Sequence, residues 1–205
     1  MDAIMNNNLT DMPFNEFQSN GYMLVDWISK YISEIEKYPP LAQVNPGEIL
    51  KQIPQTPPVT GDEIEKILND VDKILIAGIT HWNHPGFMAY FNSTSSGPGI
   101  LAELLTAALG VNGMLWKTSP AITELERSMM NWFRQMVGLP ENYWGIIYDT
   151  ASTSSMHAIA SAREQINLGI RERGMTGRND IPKLILYCSE HAHNSIDKGA
   201  LTLGI

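Results

Sequence analysis

The chain has 205 residues, 43% of them hydrophobic, enough for one large domain or two small ones. A net charge of −8 argues against a nucleic-acid binder, which carries a basic face, and the sequence holds neither an apolar run of about 18 residues nor the residue order of a signal peptide. The single cysteine, Cys188, excludes an intramolecular disulfide and fits a reducing cytoplasm.

Residues 1–14 read as disordered or extended. From Glu16 to Glu36 the spacing of Val25, Ile28, Ile32 and Ile35 predicts one face of a helix, which Pro39-Pro40 ends. A proline-rich connector covers residues 40–60. Thr60-x-x-Glu63 reads as a capping box for a second helix lined by Ile64, Ile67, Leu68, Val71, Ile74 and Leu75. This arm has little core of its own, so its stripe must pack on the main domain or clasp another subunit.

After Gly78 the stretch "GITHWNHPGFMAYFNSTSSGPG" mixes aromatic, hydroxyl and glycine residues without a period, as ligand-contacting loops do. A helix over 98–109 follows, stopped by Gly110. The next is punctuated by Ser119 as N-cap, Pro120 at its first position, Gly138 past its end and then Pro140. "WGIIY" reads as a short buried strand and "STSSMHAIASAREQINLGIRER" as the helix after it. "KLILYC" is the next strand, with Cys188 as an inert buried thiol, and another helix starts near Asn194. Strand, helix, strand, helix indicates an α/β domain with a largely parallel sheet. The chain stops within an apolar, helix-like pattern, "GALTLGI", which reads as part of a longer protein.

Two stretches could carry chemistry. In "IIYDTASTSSMHAIA" a strand runs through five hydroxyl residues (Thr150, Ser152, Thr153, Ser154, Ser155) into a helix. Unpaired N–H groups at the helix start make this a phosphate cradle or simply a serine-rich cap; it is no Walker loop. In "EHAHNSIDKGA", Glu190, His191 and His193 follow a strand-like run. Ligands gather at the C-terminal ends of strands in α/β sheets, so one ligand could meet both stretches. An imidazole there could stack on a flat ring or move protons. The competing reading is a metal site of His191, His193 and Glu190, with His81 and His84 as further ligands, though the spacings match no metal motif. His81 and His84 also read as packing and turn residues.

The segments "NDVDKILIAGITHWNHPGFMAYF", "SSGPGILAELLTAALG", "SPAITELERSMMNWFRQMVGLP", "TASTSSMHAIASAR" and "HAHNSIDKGAL", in this order, resemble the group II pyridoxal-phosphate-dependent decarboxylases, in the aromatic-L-amino-acid branch. The resemblance runs from about residue 15 to the end. It implies a type I pyridoxal-phosphate fold, a mostly parallel α/β sheet flanked by helices. Residues 1–80 would be a helical arm clasping a second subunit, and 81–205 the first part of the large cofactor-binding domain. The cofactor implied is pyridoxal 5′-phosphate, its phosphate held at Thr150, Ala151 and Ser152 and its ring stacked by His193 rather than His191. Trp82, Tyr90, Phe91, Asn92 and Ser93 fall on the loop lining the substrate pocket. Asn112 and Met114 fall where a neighbouring subunit contributes to it. No metal is implied.

The activity implied is decarboxylation of an L-amino acid to the amine and carbon dioxide by a cytoplasmic homodimer. The family's cofactor-binding lysine and ring-pairing aspartate fall beyond residue 205; Lys183 and Lys198 match neither. Asp149 stands where relatives usually have glycine, Met114 replaces an aromatic residue and Asn112 an apolar one. An aldehyde synthase on the same scaffold and a non-catalytic cofactor-binding or dimerisation fragment are the alternatives.

Overall fold

The computed structural model of the chain describes residues 12–92 and 95–205. The expected extended segment over 1–14 thus lies, up to residue 11, outside the described residues, as does Ser93. The backbone forms two compact units, Met1–Leu105 and Thr106–Ile205. No described helix is long and apolar enough to cross a membrane.

In the first unit, α1 (Phe14–Ser33) presents a face that the aliphatic spacing predicts only in part. Ile28 and, just past the helix, Ile35 are half-buried as expected, but Val25 and Ile32 are exposed, and Met23, Trp27 and Tyr31 share the half-buried side. Aromatic rings bury more area than valine or isoleucine, and their polar tips find partners when buried. Trp27 stacks on Tyr31 at 5.5 Å between centroids and donates from Nε1 to Asp72 at 3.0 Å. Tyr31 and Tyr38 in turn flank His81.

His81 is 1% exposed. Its backbone N–H donates to Pro40 O at 2.9 Å, and its Nδ1 lies 2.7 Å from the Tyr31 hydroxyl. Nε2 is buried with no partner among the described residues.

The second helix, α2 (Ile64–Asp70), opens without the expected capping box: Glu63 is itself the N-cap and makes no side-chain cap bond. Asp62 instead pairs with Lys66 at 2.6 Å. The helical path continues as a π turn over Val71–Leu75 and a 3-10 turn over Ile76–Gly78. Ile64, Leu68, Val71 and Ile74 are half-buried; Ile67 and Leu75 are exposed. Helix α3 (Gly97–Leu109) is followed by Gly110 in the left-handed region, φ +57°.

The second unit begins its long helices with α4 (Pro120–Met136), capped by Ser119 with Pro120 at its first position. At its end Gly138 N donates to Gln135 O at 3.1 Å and Leu139 N to Arg134 O at 3.0 Å, a Schellman motif with Gly138 at φ +72°. The long helix expected after residue 150 is two: α5 (Ala151–Glu164) and a single turn, α6 (Ile170–Arg173), separated at Gly169, φ +60°. Arg178 braces the following loop by donating to Gly169 O, Gly174 O and Asp180.

Helix α7 (Ser195–Thr202) packs on α5. Gly199 is the contact point: a Cβ there would stand 3.1 Å from Ile159 Cδ1 and 3.5 Å from Met156 Cα. One turn further on, Arg163 Nη1 donates to Leu203 O at 2.7 Å. Residues 156 and 159 meet 199, and 163 meets 203, so the helices run parallel with both N-termini at one end. Gly204 closes α7 in a second Schellman motif, Gly204 N to Leu201 O and Ile205 N to Ala200 O.

The two predicted strands differ from expectation. Residues 144–148 and 183–188 carry no strand ladder among the described residues. Trp144, Ile146, Ile147, Ile185 and Tyr187 are exposed rather than buried, and Cys188 is an exposed thiol. A strand is stabilised by ladder partners and covering layers that lie elsewhere in sequence, and neither segment supplies them to the other. Among described hydrophobic residues only Ile159 and Ile170 are buried.

Two outcomes are expected. Gly199→Val overpacks the α5–α7 contact and should lower stability by about 1–3 kcal/mol in urea unfolding, with Gly199→Ala changing it by less than about 1 kcal/mol. Burial, then the neighbouring His84 charge, holds His81 below its ordinary value of 6.5. The unfolded chain therefore binds a proton that the folded chain refuses, and stability falls as pH drops below 6.5. Thermal unfolding between about pH 7.5 and about pH 5.5 should show this loss, and His81→Gln should flatten it.

Candidate active site

The geometry of the turn at Thr150–Ser152 follows from how α5 starts. Thr150 is the N-cap, extended at φ −141°, ψ 156°, and its Oγ1 accepts from Thr153 N at 3.1 Å. The first intrahelical bond runs from Ser154 N to Thr150 O at 3.0 Å. That accounts for the third and fourth N–H groups of the helix start. Those of Ala151 and Ser152 have no acceptor among the described residues and sit at the positive end of a 14-residue helix. Ser152 adds a hydroxyl, and the Thr150 hydroxyl, 3.0 Å from Thr153 Oγ1, keeps its proton for an anion when the Thr153 hydroxyl is the donor of that pair. These three residues form an anion cradle.

His193 lies two residues before the first residue of α7. Its Nδ1 is 3.2 Å from Ser195 N and 3.0 Å from Ser195 Oγ. The ring therefore satisfies one of the unpaired N–H groups of the α7 start, a task the N-cap Asn194 does not perform with its side chain. From the α5–α7 contact, Ala151 is five residues back and Ser195 four, about 6–8 Å along each axis. The parallel packing thus brings the Thr150–Ser152 cradle and the exposed His193 ring to one end of the helix pair.

His191 and Glu190 do not join them. Both side chains are nearly fully exposed, 3.6 Å apart. His84 Nδ1 accepts from Gly86 N at 2.8 Å, a turn role, and His81 is a packing residue held by Tyr31. No group of three or more His, Cys, Asp or Glu side chains converges among the described residues.

In the first unit, the loop after His81 folds around Trp82, which packs on Phe87 at 4.9 Å and on Tyr90 at 5.6 Å, the latter nearly coplanar. Asn92 Nδ2 donates to Trp82 O at 3.0 Å. Asn83 Nδ2 donates to Ser95 Oγ at 2.8 Å and Asn83 Oδ1 accepts from Ser95 N at 3.3 Å, so the loop is tied at its base. Tyr90 has φ +59°, which costs a side-chain-bearing residue about 1 kcal/mol, and Phe91 is fully exposed. In the second unit, Asn112 Oδ1 accepts from Met114 N at 2.9 Å and Asn112 O accepts from Thr118 Oγ1 at 2.9 Å, leaving Met114 projecting at 70% exposure.

Three contributors escape a reading of the sequence. Ser195 acts partly through its backbone N–H, which composition does not reveal. Tyr148 stacks on His157 at 4.4 Å, and His157 Nδ1–H donates to Thr153 O at 2.9 Å, which presses the segment entering the cradle onto α5. The clue was the four-residue interval from Thr153 to His157, one helical turn.

Residues 46–205 match the model of the pyridoxal-dependent decarboxylase conserved domain. Tyrosine/DOPA decarboxylase 2 of Papaver somniferum is 37% identical over 196 residues, 93% of this chain and 36% of that protein. The chain superposes on the crystal structure of Catharanthus roseus tryptophan decarboxylase with L-tryptophan at a TM-score of 0.85 and 34% identity, over 96% of this chain and 41% of that one. On Rhodiola rosea 4-hydroxyphenylacetaldehyde synthase the TM-score is 0.84 and the identity 35%, over 95% and 42%. The chain thus spans well under half the length of the proteins it matches, and over that span it has the type I fold of their N-terminal part, as the sequence motifs imply. With a family match over 160 residues (46 to 205 inclusive), the chain belongs to the pyridoxal-dependent decarboxylases.

Proposed function

We propose that this chain forms the phosphate-binding and ring-stacking part of a decarboxylase that uses pyridoxal 5′-phosphate to convert an aromatic L-amino acid to its amine and carbon dioxide. The observation that carries the reading is the convergence of the Thr150–Ser152 cradle and His193 at one end of the α5–α7 pair. The donor set fits the cofactor: two backbone N–H groups without acceptors, two hydroxyls and a helix dipole suit a phosphate. The exposed imidazole suits a flat ring. When bound, the cofactor supplies the electron sink into which the bond to the leaving carboxylate collapses.

The chain's own residues do the rest. Ala151 N–H, Ser152 N–H and the Thr150 and Ser152 hydroxyls hold the phosphate, and His193 covers the ring. By the family resemblance Trp82, Tyr90, Phe91 and Asn92 would line the substrate pocket, where aromatic faces favour an aromatic side chain. The anchoring lysine lies outside residues 1–205. Asp149 is exposed at the edge of the cradle, where a carboxylate facing the phosphate would repel it.

The functional protein is a cytoplasmic homodimer. Its arm, residues 1–80, clasps the second subunit, and Asn112 and Met114 reach into the neighbouring pocket. The exposed Met114 and the shortage of buried apolar residues support this. A methionine packs readily on an aromatic ring, so Met114 is compatible with aromatic substrates. An aldehyde synthase is the second reading, favoured by the 35% identity to the Rhodiola rosea enzyme.

In the holoenzyme, His193→Ala should lower kcat by about a hundredfold, whereas His191→Ala should change it by less than about threefold. Equal, small effects would remove the stacking role. Assays of carbon dioxide, amine, ammonia and peroxide on tyrosine, DOPA and tryptophan should give amine and carbon dioxide in equal amounts. Ammonia and peroxide appearing with an aldehyde would establish the synthase instead.

A further inference from the structure

Ser195 is 6% exposed and is the first residue of α7. Two of its groups meet one nitrogen: the backbone N–H at 3.2 Å and the hydroxyl at 3.0 Å from His193 Nδ1. A backbone N–H can only donate. Nδ1 must therefore present its lone pair, and the ring proton of the uncharged imidazole sits on Nε2. Nε2 has no partner among the described residues.

We propose that Ser195 is a positioning residue that holds His193 in the Nε2–H tautomer and fixes the plane of its ring at the mouth of the cradle. The backbone contact selects the tautomer, and the hydroxyl, which meets the same nitrogen from a second direction, narrows the range of His193 ring orientations. Nε2–H is then the one ring donor left for a ligand, which suits an acceptor such as a carboxylate oxygen. Partners that orient a group touching the ligand are worth about 10- to 100-fold in activity when removed at metal-ligating histidines, where the ring donates; here the ring accepts, with the same orienting consequence.

The effect on turnover rests on the proposed decarboxylase function; the tautomer does not. Neutron diffraction from deuterium-exchanged crystals of the holoenzyme and of the cofactor-free protein should place the ring deuteron on Nε2 of His193 in both. A deuteron on Nδ1 facing Ser195 would overturn the assignment. In the holoenzyme, Ser195→Ala should lower kcat about tenfold with KM changed less than about twofold. It should also weaken the circular dichroism of the bound cofactor, and Ser195→Thr should restore both. A Ser195→Ala enzyme that is less stable but unchanged in kcat and in cofactor dichroism would make Ser195 merely structural and end the proposal. If the Ser195→Ala protein fails to fold, the neutron map of the natural sequence still decides. Absence of any cofactor band in the natural protein would instead count against the decarboxylase function.

Discussion

The close approach of α5 and α7 at Gly199 is the constraint on which the second unit depends. Without a side chain at that position the helix backbones meet, with Ile159 and Met156 filling the space a Cβ would take. Arg163 then ties the far end by donating to Leu203 O. Because the pair is parallel, one contact sets two helix starts side by side, and each start brings a different chemistry. Thr150 leaves two N–H groups of α5 to face an anion, while α7 turns a histidine outward. The proposed phosphate cradle and stacking ring would therefore be consequences of one packing decision rather than two separate inventions.

The first unit solves a related problem by other means. Its loop of exposed aromatic residues has no helix of its own, so order comes from hydrogen bonds at its base and from the buried His81 just before it. Tyr31 and Tyr38 enclose His81 and Trp27 ties α1 to Asp72, which makes an aromatic cluster in a segment that leaves Val25 and Ile32 in solvent. The buried Nε2 of His81 has no partner among the described residues, a cost that only a well-packed surround can bear.

What the sequence discloses depends on whether the deciding interaction is local. Ser119, Pro120, Gly138 and Pro140 mark α4 correctly because caps and Schellman motifs involve residues a few positions apart. Thr150 marks α5 for the same reason. The buried face of α1 is only half legible because Val25, Ile28, Ile32 and Ile35 keep a helical spacing whichever side the tertiary contacts choose, and only Ile28 and Ile35 end half-buried. The capping box at Thr60 fails because Glu63 itself takes the N-cap position, so the helix begins at Ile64, three residues later than the box predicts. Burial of "KLILYC", and with it of Cys188, depends on layers the local pattern cannot reveal. The cradle residues and His193 were visible as a family pattern. Their convergence required the α5–α7 contact, and the support from Ser195 required coordinates.

The separation of the contacting residues has a bearing on how the protein comes into being. Met156 and Gly199 are only 43 positions apart (199 − 156), and the helices that carry them are each closed by their own caps. Closing a loop of that length costs little more entropy than closing one half as long, about 0.6 kcal/mol. The helix pair can therefore assemble early on the folding path, ahead of pairings that span longer stretches of chain. A nascent polypeptide would then hold a preformed anion cradle as a nucleus around which later elements condense, and the cofactor could act as a folding ligand as well as a reagent.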